Sequence, residues 1–463
     1  MAVDLTSGGL GGQRVLVYGL GRFGGGAGVV GFLSEAGAVV SIADDADEDQ
    51  LRAPIESLRD IEIAEWFLGG GSPSLDAFDL VVANPGLKPT HPLFAQAEAA
   101  GVVVVSEIEL FLANNPAEVV AVTGSNGKST TSAMIAHVLK HAGLRCHLGG
   151  NLGGSLLATL PAIEPDDIVV LELSSFQLSR LREEHLSPRV AVVTNFVANH
   201  LDWHGSLDHY SSSKQRLLAF SGPSCAAVLP TNGDDVAAWP TRARRLCFGD
   251  DLGENGVFVS DGTVVFRTDQ TEEGLPLWHL RLPGSHNVSN SLAAAVACFE
   301  LGVEPTAIGD AFASFTGLPF RLQRIGCVDG RVFVNDSAST TPESTIEALQ
   351  AFAQRVVLIA GGAEKGVDLR PLAESAANRA KSAHWIGTTA DVLLKHATSC
   401  DEGFHQSQHE TLSDAFSAAV DVSKPGDIVI LSPGCASFGM YANFADRGRH
   451  FDQLVERLSR SES

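Results

Sequence analysis

Basic side chains are scarce in this sequence of 463 residues. Lysine and arginine together number 32, against 55 aspartate and glutamate residues, and the formal net charge at pH 7 is -23. Nucleic acids and anionic membrane surfaces are polyanions, and an acidic protein is repelled by both. The composition therefore argues against either one as a partner.

Long apolar runs and paired cysteines are also lacking. No apolar stretch approaches the roughly 20 residues that span a bilayer, and no basic segment followed by an apolar core opens the chain. The seven cysteines are scattered and form no Cys-x-x-Cys pair, which favours reduced thiols over a disulfide framework or a zinc site. We expect a cytoplasmic protein without a signal peptide or a membrane-inserted segment.

The length is about three times that of a typical domain, so two or three separate cores are expected. Strand and helix patterns alternate in three blocks, which predicts an α/β fold of three domains. The first and third blocks are Rossmann-like, and the central block has a parallel sheet that leads into a phosphate-binding loop. The predicted boundaries are 1–105, 106–317 and 318–463.

The most informative segment is a strand over residues 119–123 that enters a glycine-containing turn and then an amphipathic helix. Glycines let backbone N–H groups approach phosphate oxygens, a helix N-terminus attracts anions, a lysine reaches the terminal phosphates, and a hydroxyl can hold Mg²⁺. The pattern is a shortened phosphate loop, because Val122 stands where the longer motif has glycine. It predicts an ATP site made by Gly124, Ser125, Asn126, Gly127, Lys128, Ser129 and Thr130.

A second glycine pattern, Gly-x-Gly-x-x-Gly over residues 19–24, follows the first predicted strand. Asp44 lies about 20 residues further on, as in an NAD fingerprint. Taken alone, the pattern supports a NAD-dependent dehydrogenase. A different nucleotide-like ligand would need the same glycine turn, and the phosphate loop in the next block favours that interpretation.

Other candidates follow the central strands. Glu172 ends a predicted buried strand one strand from the phosphate loop, where a carboxylate can bind Mg²⁺. His200 follows the next strand and is a candidate metal or phosphate ligand, or a histidine that satisfies loop backbone groups. By spacing alone, Lys214 would be a surface lysine. Polar residues at 285–290 are explained by helix capping or by contact with a purine edge.

Together and in this order, these segments resemble the Mur ligase family over nearly the whole chain. The resemblance implies ATP and two Mg²⁺ ions as cofactors, with metal ligands at Ser129, Glu172, His200 and Lys214. It also implies that CO₂ carbamylates Lys214, which converts a cation into a carboxylate-like ligand. By the same resemblance, Asn290, Arg321 and Asp336 would hold adenine and ribose.

The resemblance reassigns the first domain to the UDP portion of a UDP-sugar. The residues it implies are Gly19, Leu20, Gly21, Arg22, Asp44, Asp45, Asn84 and Gly86, with Asn151 on the muramoyl part. In the third domain, Lys365, Ser437 and Phe444 match the glutamate pocket of the family's glutamate-adding branch. Two departures stand out, since Phe320 replaces a histidine and Ala338 replaces a lysine that contacts the incoming amino acid. Arg447 or Arg449 would then supply the missing cation.

The expected function is that of an ATP-dependent amide-bond ligase acting in peptidoglycan precursor synthesis. It would add D-glutamate to UDP-N-acetylmuramoyl-L-alanine through an acyl phosphate, as a monomer. Within the class, the alternatives are an L-glutamate-adding relative, another Mur-type ligase and a folylpolyglutamate-type ligase. From other classes, the alternatives are the NAD-dependent dehydrogenase and a nucleotide-binding scaffold without turnover, which the retained Lys128, Glu172, His200 and Lys214 disfavour.

Overall fold

The computed structural model describes residues 3–21, 25–71, 73–152, 155–231, 236–251, 253–278, 280, 282, 284–364 and 367–461. The chain has a three-domain α/β fold with largely parallel sheets, as predicted. It divides into two compact units, one of residues 1–279 with 289–313 and the other of 280–288 with 314–463. The exact boundary at 105/106 stays a prediction.

The first sheet is parallel throughout and has the strand order β3-β2-β1-β4-β5. Its strands are β1 (Arg14–Tyr18), β2 (Val39–Ala43), β3 (Trp66–Phe67), β4 (Leu80–Ala83) and β5 (Val103–Val105). Its helices are α1 (Gly25–Glu35), α2 (Arg52–Ser57), α3 (Pro92–Ala100) and α4 (Glu107–Asn114). Strand β1 lies between β2 and β4, so the segments after these three strands meet at one edge of the sheet.

The central sheet has the order β14-β13-β12-β11-β10-β9-β6-β8-β7, with antiparallel pairing only at β12-β13 and β13-β14 among the described strands. The strands around the phosphate loop are β6 (Glu118–Thr123), β7 (Cys146–Gly150), β8 (Ile168–Glu172) and β9 (Val190–Val193). The sheet continues through β10 (Ala226–Pro230), β11 (Arg244–Asp250), β12 (Gly256–Ser260), β13 (Thr263–Arg267) and β14 (Glu272–Pro276). The residues from 226 to 276 thus extend this sheet by five strands.

Helices flank the central sheet. They are α5 (Lys128–His141), α6 (Ser175–Arg180), α7 (Leu201–His204), α8 (Leu207–Ala219), α9 (Ser285–Glu300) and α10 (Pro305–Ser314). Short 3-10 turns lie at Leu75–Ala77, Leu157–Ala162, Glu183–His185 and Val236–Ala238. None of the helices in the described ranges combines the length and the apolar character that crossing a lipid bilayer requires.

The third sheet has the order β15-β16-β20-β17-β18-β19 and is parallel except for the β15-β16 pair. Its strands are β15 (Gln323–Val328), β16 (Arg331–Asn335), β17 (Val356–Gly361), β18 (Ala380–Ile386), β19 (Gln406–His409) and β20 (Ile428–Leu431). Its helices are α11 (Pro342–Gln350), α12 (Arg370–Arg379), α13 (Ala390–Cys400), α14 (Leu412–Val422) and α15 (Phe444–Ser461). Strand β20 lies between β16 and β17.

The cores are built from β-branched and leucine side chains, which pack well on pleated surfaces. One apolar cluster joins the first sheet to the central sheet. It contains Val15 and Val17 of β1 together with Leu171 of β8 and Val193 of β9. Separate apolar clusters cover the two faces of the third sheet. These cores fix the strands whose carboxyl ends carry the predicted site residues.

Helix α1 begins very close to the end of β1. A Cβ built on Gly26 would lie 2.3 Å from the backbone oxygen of Leu20, whereas a Cβ on Gly31 of the same helix meets nothing within 4 Å. Glycine at position 26 therefore permits a close approach of the helix to the turn after β1 that any side chain would block.

We expect Gly26→Ala to lower the stability of the chain by about 1–3 kcal/mol, because overpacking forces the backbone to shift. Gly31→Ala should raise it by about 0.5–1 kcal/mol, since alanine is the better helix former. Thermal unfolding of both variants tests this pair. Equal midpoints for the two variants would show that the close approach at Gly26 carries no constraint.

Candidate functional site

The phosphate loop connects β6 to α5, and two of its glycines are required by close contacts. Gly127 has φ +78 and occupies the N-cap of α5, and a Cβ there would lie 2.2 Å from Oδ1 of Asn290. Gly124 has φ +145, and its Cβ would lie 1.9 Å from Oγ1 of Thr194. Both positions combine a left-handed backbone with an occupied neighbourhood, so a side chain is excluded twice over.

Residues that follow β9 hold this loop in shape. The backbone N–H of Ser125 donates to the oxygen of Asn195 at 2.9 Å, and that of Asn126 donates to Asn195 Oδ1 at 2.9 Å. Thr194 Oγ1 donates to the oxygen of Asn126 at 2.6 Å. The loop is thus fixed by its neighbour strand. Thr194 and Asn195 were not among the predicted site residues, although a hydroxyl and an amide directly after a strand are a signal in the sequence.

Lysine and hydroxyl groups open α5. Lys128 Nζ donates to the oxygen of Ser125 at 2.8 Å, which brings its charge back over the loop. Ser129 is buried in the first turn and Thr130 is half-buried. A lysine over a glycine loop at a helix N-terminus is a suitable arrangement for an anionic phosphate.

Glu172 is the last residue of β8, and its side chain is 1% exposed. Its Oε1 accepts a hydrogen bond from Asn151 Nδ2 at 2.8 Å. The other oxygen, Oε2, is buried without a hydrogen-bonding partner among the described residues. A buried carboxylate oxygen left unpaired is costly, and a bound cation is one of the ways in which proteins offset that cost.

Lys214 lies on α8 and is buried. The surface position that spacing alone predicted is therefore wrong. Its Nζ donates to the oxygen of Gly124 at 2.6 Å and lies 4.7 Å from the ring centre of Tyr210. Burial lowers the pKa of Lys214 well below its usual value, the positive charge of Lys128 lowers it further, and Glu172 opposes the shift. Two lysines and one glutamate therefore act on one another electrostatically beside the loop.

His200 follows β9 and is linked to this group through aromatic rings. Its φ is +54, an unusual conformation for a histidine, and it is exposed. Its ring lies 5.0 Å from Phe176, at the start of α6, and 6.1 Å from Tyr210, which also contacts Lys214. The structure thus gathers Lys128, Glu172, His200 and Lys214 at the carboxyl ends of β6, β8 and β9.

Within the described part of the chain, no three His, Cys, Asp or Glu side chains gather closely enough to hold a metal ion. Mg²⁺ seldom needs such a cage, because it usually binds one or two carboxylates together with waters and substrate phosphates. The single unpaired oxygen of Glu172, beside a phosphate loop, fits that mode of binding.

In the first domain, the predicted UDP residues also meet at one edge of the sheet. Gly19 has φ +90 and Gly21 has φ +67, and a Cβ on Gly19 would lie 2.6 Å from the Cβ of Asn84. Asn84 Nδ2 donates to the oxygen of Gly19 at 3.2 Å, and Asn84 Oδ1 accepts from the N–H of Gly86 at 2.9 Å. Leu20 is buried, and Arg22 lies outside the described residues.

The two aspartates at the end of β2 are held by the domain itself. Asp44 accepts hydrogen bonds from the N–H groups of Gly21 at 3.2 Å and Ala46 at 2.9 Å. Asp45 accepts one from the Tyr18 hydroxyl at 2.8 Å, and its other oxygen lies 3.2 Å from His91 Nε2. Burial and the bond to Asp45 raise the pKa of Tyr18 above its usual value. Tyr18 and His91 thus hold Asp45 in place, and no sequence motif indicated them.

The third domain orders its candidate residues in the same way, after β16 and β20. Asp336 is buried, with Oδ1 accepting from the N–H of Leu322 at 3.0 Å and Oδ2 from Ser432 Oγ at 2.6 Å. Burial raises the pKa of Asp336 to about 6, although these bonds and Arg321 oppose the shift. Arg321 itself is exposed.

The three residues predicted to form the glutamate pocket differ in exposure, and one of them lies outside the described residues. Ser437 is buried and Phe444 is 41% exposed, and Lys365 lies outside the described residues. Arg447 does not present the free cation that Ala338 was expected to require. It is buried, and its guanidinium donates to the oxygen and Oγ of Ser337 at 3.0 and 3.1 Å and to the oxygen of Cys435 at 3.2 Å.

Arg449 pairs with Asp446 at the surface. Both arginines are thus engaged within the third domain. Neither arginine is therefore placed to replace the lysine that is missing at Ala338.

Models of three domain families match consecutive parts of the chain. They are the Mur ligase MurD-like N-terminal domain over residues 13–106, the Mur ligase middle domain over 122–298 and the Mur ligase glutamate ligase domain over 320–435. A UDP-N-acetylmuramoylalanine–D-glutamate ligase of Pelotomaculum thermopropionicum is 37% identical over 461 residues, covering 97% of this chain and 98% of the relative. The chain belongs to the Mur ligase family.

Further relatives agree with this membership. A protein of the same name from Shouchella clausii is 37% identical, covering 96% of this chain and 97% of its own. Among solved structures, UDP-N-acetylmuramate-alanine ligase from Thermotoga maritima has a TM-score of 0.60 at 20% identity, covering 97% and 100% of the two chains. FolC of E. coli, in complex with ADP, has a TM-score of 0.56 at 19% identity, covering 77% of this chain and 94% of its own. At these identities, the structures support the Mur ligase fold alone.

The buried carboxyl of Asp336 predicts a pH-dependent contribution to stability. Its pKa of about 6 in the folded chain is above the usual value of 3.8, so the folded state binds the proton more tightly. The stabilisation is complete below about pH 4 and is lost as the pH rises through about 6. Asp336→Asn keeps the shape of the side chain without its charge. The melting temperature of this variant minus that of the parent chain should therefore increase as the pH rises from about 4 to above 6. A difference between the two that is independent of pH would contradict the prediction.

Proposed function

We propose that the chain is an ATP-dependent ligase that joins glutamate to UDP-N-acetylmuramoyl-L-alanine in peptidoglycan precursor synthesis. One observation carries the chemistry, namely the unpaired oxygen of buried Glu172 beside a glycine-and-lysine phosphate loop. The substrates rest on the whole-length similarity to relatives named as D-glutamate ligases. The comparisons do not support the alternative of a NAD-dependent dehydrogenase.

The proposed reaction activates a carboxylate before an amide bond is made. A carboxylate is a poor electrophile because oxide would have to leave, so the L-alanyl carboxylate first attacks the γ-phosphorus of ATP and displaces ADP. The neutral amine of glutamate then attacks the carbonyl carbon of the acyl phosphate. The amine loses a proton, inorganic phosphate leaves, and the amide bond remains.

Charge neutralisation is the main catalytic problem, because ATP, a carboxylate and an acidic protein must meet. Bound Mg²⁺ would supply positive charge between the phosphates and the carboxylate. Glu172, His200, carbamylated Lys214 and a hydroxyl of Ser129 or Thr130 would hold two such ions. Lys128 would stabilise the charge that develops on the transferred phosphoryl group.

Carbamylation of Lys214 is part of the proposal. The amine is buried, which favours its neutral, nucleophilic form, and it lies beside the loop. Its reaction with CO₂ forms an N–C bond, releases one proton and leaves a carbamate anion. That anion would place a second acidic ligand beside Glu172.

The first and third domains would bind the UDP-sugar substrate and glutamate, and would help to hold ATP. The glycine turn with Asp44, Asp45, Asn84 and Gly86 would bind the UDP portion of the sugar substrate, and Asn151 would contact its muramoyl part. Adenine and ribose would be held by Asn290, Arg321 and Asp336, and glutamate by Lys365, Ser437 and Phe444. The domain boundaries after residues 105 and 317, the monomeric state and the cytoplasmic location stay proposals.

The test of this function is phosphate release from ATP when UDP-N-acetylmuramoyl-L-alanine and glutamate are both present. We expect release with D-glutamate and much slower release with the L-enantiomer, because relatives that match nearly the whole chain carry the name of D-glutamate ligases. Lys128→Ala should remove activity while the chain stays folded, since it deletes a charge and little packing. Faster use of L-glutamate would overturn the D-specific assignment, and use of neither enantiomer would overturn the glutamate assignment.

We expect Lys214→Ala to be nearly inactive, because it removes both the buried amine and the carbamate it would carry. Formate should partly restore this variant by filling the vacated anion position. Lys128→Ala is the matched control, since it has lost a cation, and formate should not restore it. An unmodified Lys214 together with full activity after depletion of CO₂ would disprove carbamylation.

A further inference from the structure

Arg180 connects the central domain to the first one. It is the last residue of α6, eight positions after Glu172, and is half-buried. Its Nη1 donates to the oxygen of Asn84 at 3.2 Å and its Nη2 to the oxygen of Leu87. Both acceptors belong to the loop after β4, whose side chains are predicted to contact UDP.

Aromatic rings complete the environment of this guanidinium. Its Cζ lies 4.2 Å from the ring centre of Phe94 in α3 and 5.6 Å from that of Trp203 in α7. Trp203 also donates from Nε1 to the oxygen of Gly86 at 3.4 Å and lies 4.6 Å from the ring of Phe176. Arg180 therefore sits where the loop of one domain meets two helices of the other.

The guanidinium of Arg180 is bound by backbone oxygens and aromatic rings and not by a carboxylate of the described residues. No carboxylate in the described part of the chain pairs with it, and burial alone lowers its pKa to about 10, so it stays charged at neutral pH. Backbone oxygens and aromatic faces are weaker partners for a cation than a carboxylate is. The site suits arginine because a planar guanidinium can donate to two carbonyl oxygens at once.

The hydrogen bonds of the loop extend this connection in both directions. Asn84, whose oxygen Arg180 binds, bonds through its side chain to Gly19 of the glycine turn. On the other side, Phe176 of α6 contacts both Trp203 and His200. Displacement of the guanidinium would thus release the substrate loop from the helix that follows the proposed metal ligand Glu172.

We propose that Arg180 is a positioning residue that fixes the loop of residues 84–87 relative to the central site. This inference rests on the proposed function. A UDP-sugar held at one end by the first domain must deliver a carboxylate at its other end to the phosphate loop. Arg180 sets that separation without touching the reacting atoms.

The chain offers a matched control in Arg216 of α8. That arginine also donates to two backbone oxygens, of Leu178 at 2.8 Å and Leu181 at 2.5 Å, and lies 5.1 Å from the ring centre of Phe220. All of these partners belong to the central domain. Arg180→Met and Arg216→Met therefore lose the same kind of contacts, but only the first loses a connection between domains.

For Arg180→Met we expect the KM for UDP-N-acetylmuramoyl-L-alanine to rise about tenfold, as expected from the loss of charge-assisted bonds. The KM values for ATP and glutamate should stay within about twofold, and UDP alone, which reaches only the first domain, should lose less affinity than the whole substrate. Arg180→Lys should recover part of the loss. Arg216→Met should leave all three KM values unchanged at a comparable melting temperature.

Amide hydrogen exchange tests the connection without relying on catalysis. Exchange in residues 84–94 should quicken in Arg180→Met and stay slow in Arg216→Met. Unchanged exchange there, or equal shifts of every kinetic constant in both arginine variants, would overturn the positioning role. Failure of the proposed function would be seen separately, as a parent chain that releases no phosphate, and the exchange result would still decide whether Arg180 holds the loop.

Discussion

The attachment of the phosphate loop to the end of β9 is the constraint on which the central site depends. Gly124 and Gly127 leave room for Thr194 and Asn290, while Asn195 binds two successive loop amides. An anion-binding loop that had to order itself on binding would lose affinity to that ordering. Because the neighbouring strand already fixes the loop, Lys128 and Lys214 can bond to loop carbonyls in the folded chain. The buried oxygen of Glu172 remains unpaired beside them.

The same topological device occurs in each sheet. A central strand lies between two others, and the segments after all three converge: β1 between β2 and β4, β6 between β8 and β9, and β20 between β16 and β17. Ligand sites of open α/β sheets are found at such carboxyl edges. Polar side chains can be supplied there by short loops while the strands themselves remain buried and apolar, so the function of each domain varies without disturbing its core.

Much of this arrangement could be predicted from sequence, because buried parallel strands are continuous apolar runs and phosphate loops need glycine at fixed places. The strand predicted over residues 119–123 is confirmed as β6, and Glu172 ends β8 as predicted. The burial of Lys214 was beyond spacing arguments, since it follows from the packing of α8 against the loop. The engagement of Arg447 with Ser337 and Cys435 was equally inaccessible, because it joins segments about 110 and 12 residues away. Pairings across such separations leave no local pattern in the chain.

Strand β14 closes one edge of the central sheet, and its composition has a consequence for how copies of the chain meet. An edge strand exposes unpaired backbone groups that can recruit another chain. Here that strand reads Glu272-Glu273-Gly274-Leu275-Pro276, with both glutamates exposed and a proline that has no N–H to donate. Glu272 pairs with Arg267 at 2.7 Å, so Glu273 and the proline are what a second copy would meet. An exposed charge and a missing N–H donor both disfavour edge-to-edge pairing at β14.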